Sequence, residues 1–307
     1  MRILVTGANG LLGTELCRQL LEMELTTDIT AVDNYYTSKP SNHTQFNRRN
    51  RYHFVEHDVT VPKVWDIEFD QIYHLACPAS PVHYQKDQNY TLKTNISGMQ
   101  HMLDLAELTG AKIVQASTSE IYGDPTVHPQ PETYWGNVNT LGPRACYDEG
   151  KRVCETMCTI SSVETSIARI FNTYGPYMAV DDGRAISNFI AQALKNKPIT
   201  VHGNGLQTRS FCYVSDTVRA LIELMNTTTA GPVNIGNPDE VTLLDLANEI
   251  VELCNSSSKI VHTDSAVDDP QRRCPDISLA RELLDWEPTV DRTTGLKYTI
   301  QYMRDHI

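Results

Sequence analysis

The chain has 307 residues, 40% hydrophobic and 21% charged, with a formal net charge of −12. This composition suits a globular protein with a large core, and its acidity makes nucleic acid and anionic membrane poor partners. No run approaches the ~18 apolar residues of a membrane span, so the expectation is a chain without membrane attachment, in the cytoplasm.

The first residues, Met-Arg-Ile-Leu-Val-Thr-Gly, read as a buried strand at 3–6 entering a turn rather than as a signal peptide. The turn Thr6-Gly7-Ala8-Asn9-Gly10-Leu11-Leu12-Gly13 precedes a helix to about Met23. A second strand, Ile29 to Val32, ends at Asp33, and the polar stretch 35–51 reads as a loop. Strands at 53–56 and 71–75, a long helix at 89–108 and a strand at 112–116 follow. A Pro-, Gly- and Asn-rich loop at 123–143 leads to a helix from Tyr147 to about Ser161 and a strand at 164–169.

Strands alternating with helices predict an α/β fold with a doubly wound parallel (Rossmann) sheet. Beyond Asn172 the pattern loosens into short strands at 199–201, 233–235 and 259–262 and helices at 185–195, 215–226 and 242–253. The expected division is a dinucleotide-binding domain at 1–170 and a smaller α/β substrate lobe at 171–307. Some of the later segments are expected to return to the sheet. Trp135, Trp286 and most leucines are expected in the core, and Asp268 and Asp269 are expected to cap a turn at Pro270.

The eight cysteines form no C-x-x-C pair, and no His or acidic cluster accompanies Cys154 and Cys158, so no metal site is expected. The cysteines read as reduced core thiols. Asn42, Asn89, Asn95, Asn226 and Asn255 open glycosylation sequons, expected unmodified in a chain without a secretory signal.

The G-x-x-G-x-x-G turn has the mechanics of a pyrophosphate cradle. Gly7, Gly10 and Gly13 let the backbone approach a ligand, and the helix beginning at Leu11 and Leu12 supplies N–H donors and a positive dipole end. Asp33, twenty residues after Gly13, stands where a carboxylate accepts from adenosine ribose hydroxyls and repels a 2′-phosphate. NAD is therefore the expected cofactor. Asp58 suits either an adenine contact or a helix N-cap. Asn34, Val59, Leu75, Ala76, Pro78 and Lys93 complete the expected cofactor contacts.

Tyr147 and Lys151 are one helical turn apart in Ala-Cys-Tyr-Asp-Glu-Gly-Lys, so phenol and ammonium share a face. A phenol near pKa 10 is a poor base at neutral pH, and a neighbouring ammonium favours its phenolate.

Several longer segments point in one direction. They are Tyr73-His74-Leu75-Ala76-Cys77-Pro78-Ala79-Ser80-Pro81-Val82-His83-Tyr84, Ser117-Thr118-Ser119-Glu120-Ile121-Tyr122-Gly123 and Phe171-Asn172-Thr173-Tyr174-Gly175-Pro176. Asp182-Gly183-Arg184, Gln207-Thr208-Arg209-Ser210-Phe211 and Arg273-Cys274-Pro275-Asp276-Ile277 join them. On these residues the chain resembles the extended short-chain dehydrogenase/reductase superfamily and, within it, the UDP-glucuronate decarboxylases, from its first strand to Trp286-Glu287-Pro288.

The resemblance implies oxidation of UDP-glucuronate at C4 by NAD, loss of the then β-keto carboxylate as carbon dioxide, and return of the hydride to give UDP-xylose. It implies Tyr147 as the base for the C4 hydroxyl, Lys151 as its partner and Thr118 as a hydrogen bond to the C4 oxygen. Glu120 is implied near the departing carboxylate, acting by like charge or through water, with a structural hydrogen bond as its alternative. Arg273 is implied as a stabiliser of enolate or carboxylate, since arginine stays charged. Tyr84 is a candidate for orienting the carboxylate, with core packing the alternative.

Asn172, Arg184 and Arg209 match nucleotide-holding positions, and arginine forks suit phosphates. The resemblance also implies a homodimer. Ser119 in the active-site triplet is too weak an acid for a 4,6-dehydratase. A UDP-sugar 4-epimerase, including one for UDP-glucuronate, remains a rival on the same scaffold. A non-catalytic dinucleotide-sensing protein remains the reading from another class.

Overall fold

The computed structural model describes residues 1–23, 27–229, 231–264 and 272–307. Asp268, Asp269 and Pro270 lie outside the described residues.

The first half alternates strands with helices. β1 (Arg2–Thr6), α1 (Leu11–Met23), β2 (Asp28–Asp33), the single turn α2 (Ser41–Thr44) and β3 (Tyr52–Glu56) come first. β4 (Gln71–His74), the short α3 (Pro81–Tyr84), α4 (Gln88–Thr109) and β5 (Lys112–Thr118) follow. A 3-10 turn at Ser119–Tyr122, α5 (Ala145–Ile160) and β6 (Thr165–Ile170) complete it. Helix α4 is bounded by its own sequence. Asp87 accepts from the Tyr90 N–H at its start, and Gly110, at φ 74°, ends it in the left-handed region.

The main sheet has seven parallel strands, in the order 232–235, β6, β5, β4, β1, β2, β3. The strand Pro232–Ile235 comes from the loosened second half. It pairs with β6 in register from Pro232 opposite Ile167 to Ile235 opposite Ile170. The helix Val214–Met225 packs on α1 and covers β5 and β6. Its Val218, Leu221 and Leu224 share a core with Ile3, Val5 and Leu16. These two segments extend the sheet layer rather than the lobe.

The lobe proper packs the helices Ala185–Leu194, Leu243–Cys254 and Arg292–Arg304 around a second core containing Phe189, Ile190, Leu246, Ile250, Leu296 and Ile300. The strands Ile199–His202 and Ile260–Thr263 pair in parallel. A three-stranded sheet sets Thr208–Ser210 between Glu240–Thr242 and Arg272–Arg273. These two- and three-residue strands were absent from the sequence reading, because so short a segment has no measurable periodicity.

Trp286 is buried, and its indole N–H donates to the Asp216 carbonyl at 3.0 Å. Trp135 overturns its expectation, being 88% exposed. It lies in the loop 123–143, where the next residue, Gly136, turns at φ 92° and the Trp135 carbonyl accepts from Arg152. That fixed backbone turns the indole away from the core. Leu108, Leu141 and Leu206 are exposed as well. All eight cysteines are free thiols. Two of the sequon asparagines, Asn42 and Asn95, are buried and therefore closed to glycosylation.

Candidate active site

A cavity of about 860 Å³ runs from the glycine turn, over the carboxyl ends of the strands, to the lobe. That is the crevice where open parallel sheets take ligands.

At the β1 end, two glycines are required by packing. Gly7 turns at φ 67°, and a Cβ on it would lie 2.8 Å from the Ala76 amide nitrogen. A Cβ on Gly13 would lie 2.2 Å from the Gly7 carbonyl oxygen. Gly10 differs, since a Cβ there would meet only the Gly7 oxygen, at 3.4 Å. The fold does not need glycine at Gly10, yet the residue faces the cavity. A ligand backbone approaching closely does need it. Leu11 and Leu12 line the same wall and begin α1, whose first N–H groups have no intrahelical acceptor.

Asp33 ends β2. Its Oδ2 accepts from the Asn9 N–H at 3.0 Å, and its Oδ1 accepts from the Tyr35 N–H at 2.8 Å and the Ser38 hydroxyl at 3.0 Å. A carboxylate offers about four acceptor positions, so this anchored group keeps capacity toward the cavity it lines. Asn34, Val59, Leu75, Ala76 and Pro78 line the cavity too. Together these residues fit a dinucleotide.

Two expected cofactor contacts stand elsewhere. The Asp58 carboxylate accepts from the Tyr90 hydroxyl and the Thr60 N–H, both at 2.8 Å, and caps no helix. Burial pushes its carboxyl up, but the hydrogen bonds from Thr60, Tyr90 and Asn34 together outweigh it and leave the carboxyl below the usual range. Lys93 is exposed and outside the cavity wall. Tyr90 and Thr94, four apart on α4, are the residues that face the cavity, and the helical rotation of ~100° per residue carries Lys93 off that face.

At the centre, Tyr147 and Lys151 are buried in the first turns of α5. The Lys151 ammonium donates to the Ala116 carbonyl at 2.8 Å and sits 5.9 Å from the centre of the Tyr147 ring. Burial pushes the phenol well above its ordinary pKa, with Cys77 adding to the rise and a Thr118 hydrogen bond opposing it. The depression expected from Lys151 is therefore outweighed by desolvation in this geometry. Thr118, the last residue of β5, also accepts from the Glu120 N–H at 3.2 Å and so caps the 3-10 turn that carries Ser119 and Glu120.

Glu120 is held by two arginines. Arg273 donates to its Oε1 and Arg144 to its Oε2. Burial opposes ionisation, but the two guanidiniums win and hold this carboxyl well below its usual range. Arg273 is 2% exposed, also donates to the Gly123 carbonyl at 2.6 Å, and leaves its Nε without a partner among the described residues. Arg209 lies directly opposite Arg273 in the paired strands and lines the cavity. Arg184, paired with Asp182, and Asn172, Ser119 and Tyr84 line it as well. The Tyr84 hydroxyl is buried without a partner among the described residues.

The sequence reading missed Arg144 and its neighbour Asp148. The signal was available: Arg144 lies three residues before Tyr147 and four before Asp148, so all three sit within about one helical turn.

This geometry combines a dinucleotide cradle, a buried Tyr–Lys pair and an arginine-rich chamber on a doubly wound sheet. The NAD dependent epimerase/dehydratase family matches residues 3–236, and the chain belongs to that family.

Within the family the chain is most informatively set beside the UDP-glucuronic acid decarboxylases. It is 51% identical to UDP-glucuronic acid decarboxylase 3 of Arabidopsis thaliana, over 96% of this chain and 87% of that protein. It is 50% identical to UDP-glucuronic acid decarboxylase 1 of Xenopus tropicalis, over 100% and 73%. Among solved structures, UDP-glucuronic acid 4-epimerase from Bacillus cereus, in complex with UDP-glucuronic acid and NAD, superimposes with a TM-score of 0.88 at 27% identity, covering all of both chains. UDP-glucose 4-epimerase from Thermotoga maritima gives 0.89 at 25% identity, covering 100% and 99%.

Proposed function

We propose that this protein is an NAD-dependent carboxy-lyase that converts UDP-glucuronate to UDP-xylose and carbon dioxide through a 4-keto sugar. The observation that carries the reading is the Glu120 carboxylate clasped between Arg144 and Arg273, beside Tyr147 and Thr118. The identity of about half of all positions to proteins named UDP-glucuronic acid decarboxylase supports it.

Gly7, Gly10, Leu11, Leu12, Gly13, Asp33, Asn34, Val59, Leu75, Ala76 and Pro78 would hold NAD, with Tyr147 and Lys151 at its reactive end. Bound NAD would accept a hydride from C4 and return it later, and it would bring a positive charge that favours the Tyr147 phenolate. Tyr147 takes the proton of the C4 hydroxyl and gives it back to the C4 oxygen at the end. Thr118 donates to that oxygen, where charge develops. Lys151, tied to the Ala116 carbonyl, holds its ammonium beside the phenol.

A ketone at C4 makes the sugar's carboxylate a β-keto acid, which loses carbon dioxide with its electrons passing into an enolate; a proton from water at C5 then restores the 4-ketone before the hydride returns. Arg273 and Arg144 present positive charge to that chamber, but Glu120 already engages both. The substrate's carboxylate therefore meets two arginines whose charge Glu120 already halves, and it is held less firmly than by two free guanidiniums. Only differential binding accelerates a step, and a carboxylate that must leave is best held lightly. Arg184, Arg209 and Asn172 would take the diphosphate and nucleoside, and Tyr84 the sugar acid.

Ser119, without an acidic side chain, has no means of protonating a leaving hydroxyl and so disfavours a dehydratase. Among the described residues no helix is long and apolar enough to cross a membrane. A cytoplasmic homodimer belongs to the same proposal. Exposed Ile96 and Leu108 on α4 and Val153 and Ile160 on α5 offer the apolar face for it.

The test is incubation of the purified protein with UDP-glucuronate and mass analysis of the nucleotide sugars. Loss of carbon dioxide from the sugar supports the reading. An unchanged mass with inverted C4 stereochemistry transfers the chain to the epimerases.

A further inference from the structure

Outside the cavity, one group of three side chains with metal-ligand chemistry comes together among the described residues: His128, Glu240 and Cys274. The sequence pattern predicts no metal site, because these residues lie far apart in the chain and no C-x-x-C pair marks them. The short sheet of the lobe assembles them. Glu240 opens the strand Glu240–Thr242, Cys274 follows the strand Arg272–Arg273, and Thr208–Ser210 runs between the two. His128 reaches them from the loop 123–143. One ligand atom from each, a ring nitrogen, a carboxylate oxygen and the sulfur, lie within 4.8 Å of one another.

The supports of such a site are in place. The Gln130 N–H donates to the Cys274 carbonyl at 2.9 Å, and the Gln130 Oε1 accepts from the Cys274 N–H at 3.0 Å, so the loop and the strand are tied twice. The Thr208 hydroxyl donates to Glu240 Oε1 at 2.7 Å, which leaves Oε2 toward His128, whose Nε2 is 2.8 Å away. The Cys274 thiol is buried, and its contacts are long, 3.4 Å to the Pro238 carbonyl and 3.9 Å to that of Pro275. His128 and Glu240 are partly exposed, so an ion has a way in from their side.

We propose that His128, Glu240 and Cys274 form a site for a thiophilic divalent cation of the zinc class, with water as its fourth ligand. The inference is independent of the decarboxylase reading. One sulfur, one imidazole nitrogen and one carboxylate oxygen are a donor set that zinc accepts, whereas calcium and magnesium take oxygen. Tetrahedral bonds of about 2.1 Å to nitrogen and oxygen and about 2.3 Å to sulfur set the ligand atoms roughly 3.4–3.6 Å apart. The three side chains meet that spacing by movements of roughly 1 Å. On binding, the thiol proton passes to solvent and the imidazole proton moves from Nε2 to Nδ1. The hydrogen bond between Nε2 and Oε2 breaks, and bonds from sulfur, Nε2 and Oε2 to the ion replace it.

The surrounding charges act in both directions. Arg272 is exposed and comes within 3.8 Å of Glu240 Oε2, so it competes for that oxygen. Arg209 and Arg273 line the chamber instead. Asp239 and Asp276 place negative charge near the thiol, and Asp239 is paired with Arg292. The thiolate and the Glu240 carboxylate by themselves neutralise a divalent ion. Cys274 is bonded directly to Arg273, so a bound ion would also fix the backbone that delivers that guanidinium to Glu120.

The experiment uses the full chain without a purification tag, stripped with a chelator and kept reduced by a phosphine. Co²⁺ is titrated as the spectroscopic probe. The expected result is a thiolate-to-cobalt charge-transfer band that saturates at one equivalent and is displaced by Zn²⁺. Loss of even an outer-shell partner costs about 10–100-fold in metal affinity. Cys274→Ser should therefore abolish the band, and His128→Gln and Glu240→Gln should each weaken Co²⁺ by about tenfold or more. Absence of the band in the parent overturns the proposal. So does a band that survives Cys274→Ser, which would move the ion to the partly buried Cys77 or Cys146. If Cys274→Ser does not fold, His128→Gln, at a partly exposed position, decides instead, and an unchanged Co²⁺ affinity overturns the site.

Discussion

The rings of Tyr84 and Tyr147 lie stacked, their centres 5.1 Å apart and their planes 7° from parallel. Tyr84 closes the short helix after the Pro-Ala-Ser-Pro turn, and Tyr147 opens α5, so the stack ties two loop-anchored segments into one wall. Stacked aromatics contribute about 0.5–1.5 kcal/mol beyond their buried area. Tyr84→Ala is therefore expected to lower kcat by roughly three- to tenfold by loosening Tyr147. Tyr84→Phe keeps the stack and removes only the hydroxyl, so it should raise KM for UDP-glucuronate with a smaller change in kcat. Steady-state kinetics of both variants checks this, and identical behaviour of the two would show that the stack orients nothing.

Tyr147→Phe should preserve NAD binding, because the cofactor cradle is built elsewhere, while removing the proton acceptor for C4. Loss of a general base costs about 10²–10⁴ in rate. The absorbance change of the nicotinamide on adding UDP-glucuronate reads the oxidation directly. Near-full turnover in this variant would strip Tyr147 of its role.

Arg273 is the more buried of the two arginines on Glu120. Arg273→Ala leaves the carboxylate with Arg144 alone, and breaking a buried pair typically costs about 3–5 kcal/mol. With one partner retained, the loss of stability should fall toward the lower end of that range. The products should shift toward unreduced 4-keto sugar. Arg273→Lys restores the charge without the fork, so thermal stability should recover further than turnover does. Thermal unfolding and mass analysis of products are the measurements. A variant that merely binds substrate more weakly, with an unchanged product mixture, would make Arg273 a clamp.

Much of this was legible in the sequence, for identifiable reasons. The six strands and long helices of the first half follow strong periodicity and clear boundaries such as Asp87 and Gly110. The spacing of Tyr147 and Lys151 announces a shared helical face. Arg144 and Asp148 were harder to see, because their meaning comes from Glu120 and Arg273, which reach them from the end of β5 and from a two-residue strand. Asp58 and Lys93 have the right chemistry for cofactor contacts, but local hydrogen bonding and helix rotation direct them elsewhere. The destination of Pro232–Ile235 depends on pairing with β6, which no local pattern encodes.

His74, at the end of β4, is buried and hydrogen-bonded through Nδ1 to the Thr6 hydroxyl at 2.8 Å. Burial, with the Lys151 charge adding to it, lowers its pKa to about 3. In the unfolded chain the ring titrates near 6.5. Below that pH the unfolded state takes up a proton that the folded state refuses. The stability from a neutral His74 is complete above about pH 6.5 and is lost progressively as pH falls toward 3. Between pH 7 and pH 5 this amounts to about 2 kcal/mol. His74→Asn, which does not titrate, should lose less stability over that interval in urea unfolding. Equal losses in the two proteins would assign the acid sensitivity to other groups.

Gly10 and Gly13 should fail in different ways. A methyl on Gly13 would collide with the Gly7 oxygen and the Ala8 Cα, at 2.2 and 2.5 Å. Both are backbone atoms and cannot rotate away, so Gly13→Ala should unfold the turn and lower the melting temperature whether or not NAD is present. A methyl on Gly10 would lie 3.4 Å from its nearest neighbour and point into the cavity wall. Gly10→Ala should therefore fold with near-normal stability in the absence of cofactor and lose the stabilisation that added NAD gives, which grows with ligand concentration over Kd. Thermal unfolding with and without NAD separates the cases. A Gly10→Ala protein stabilised by NAD as strongly as the parent would mean that the dinucleotide does not pass over this residue.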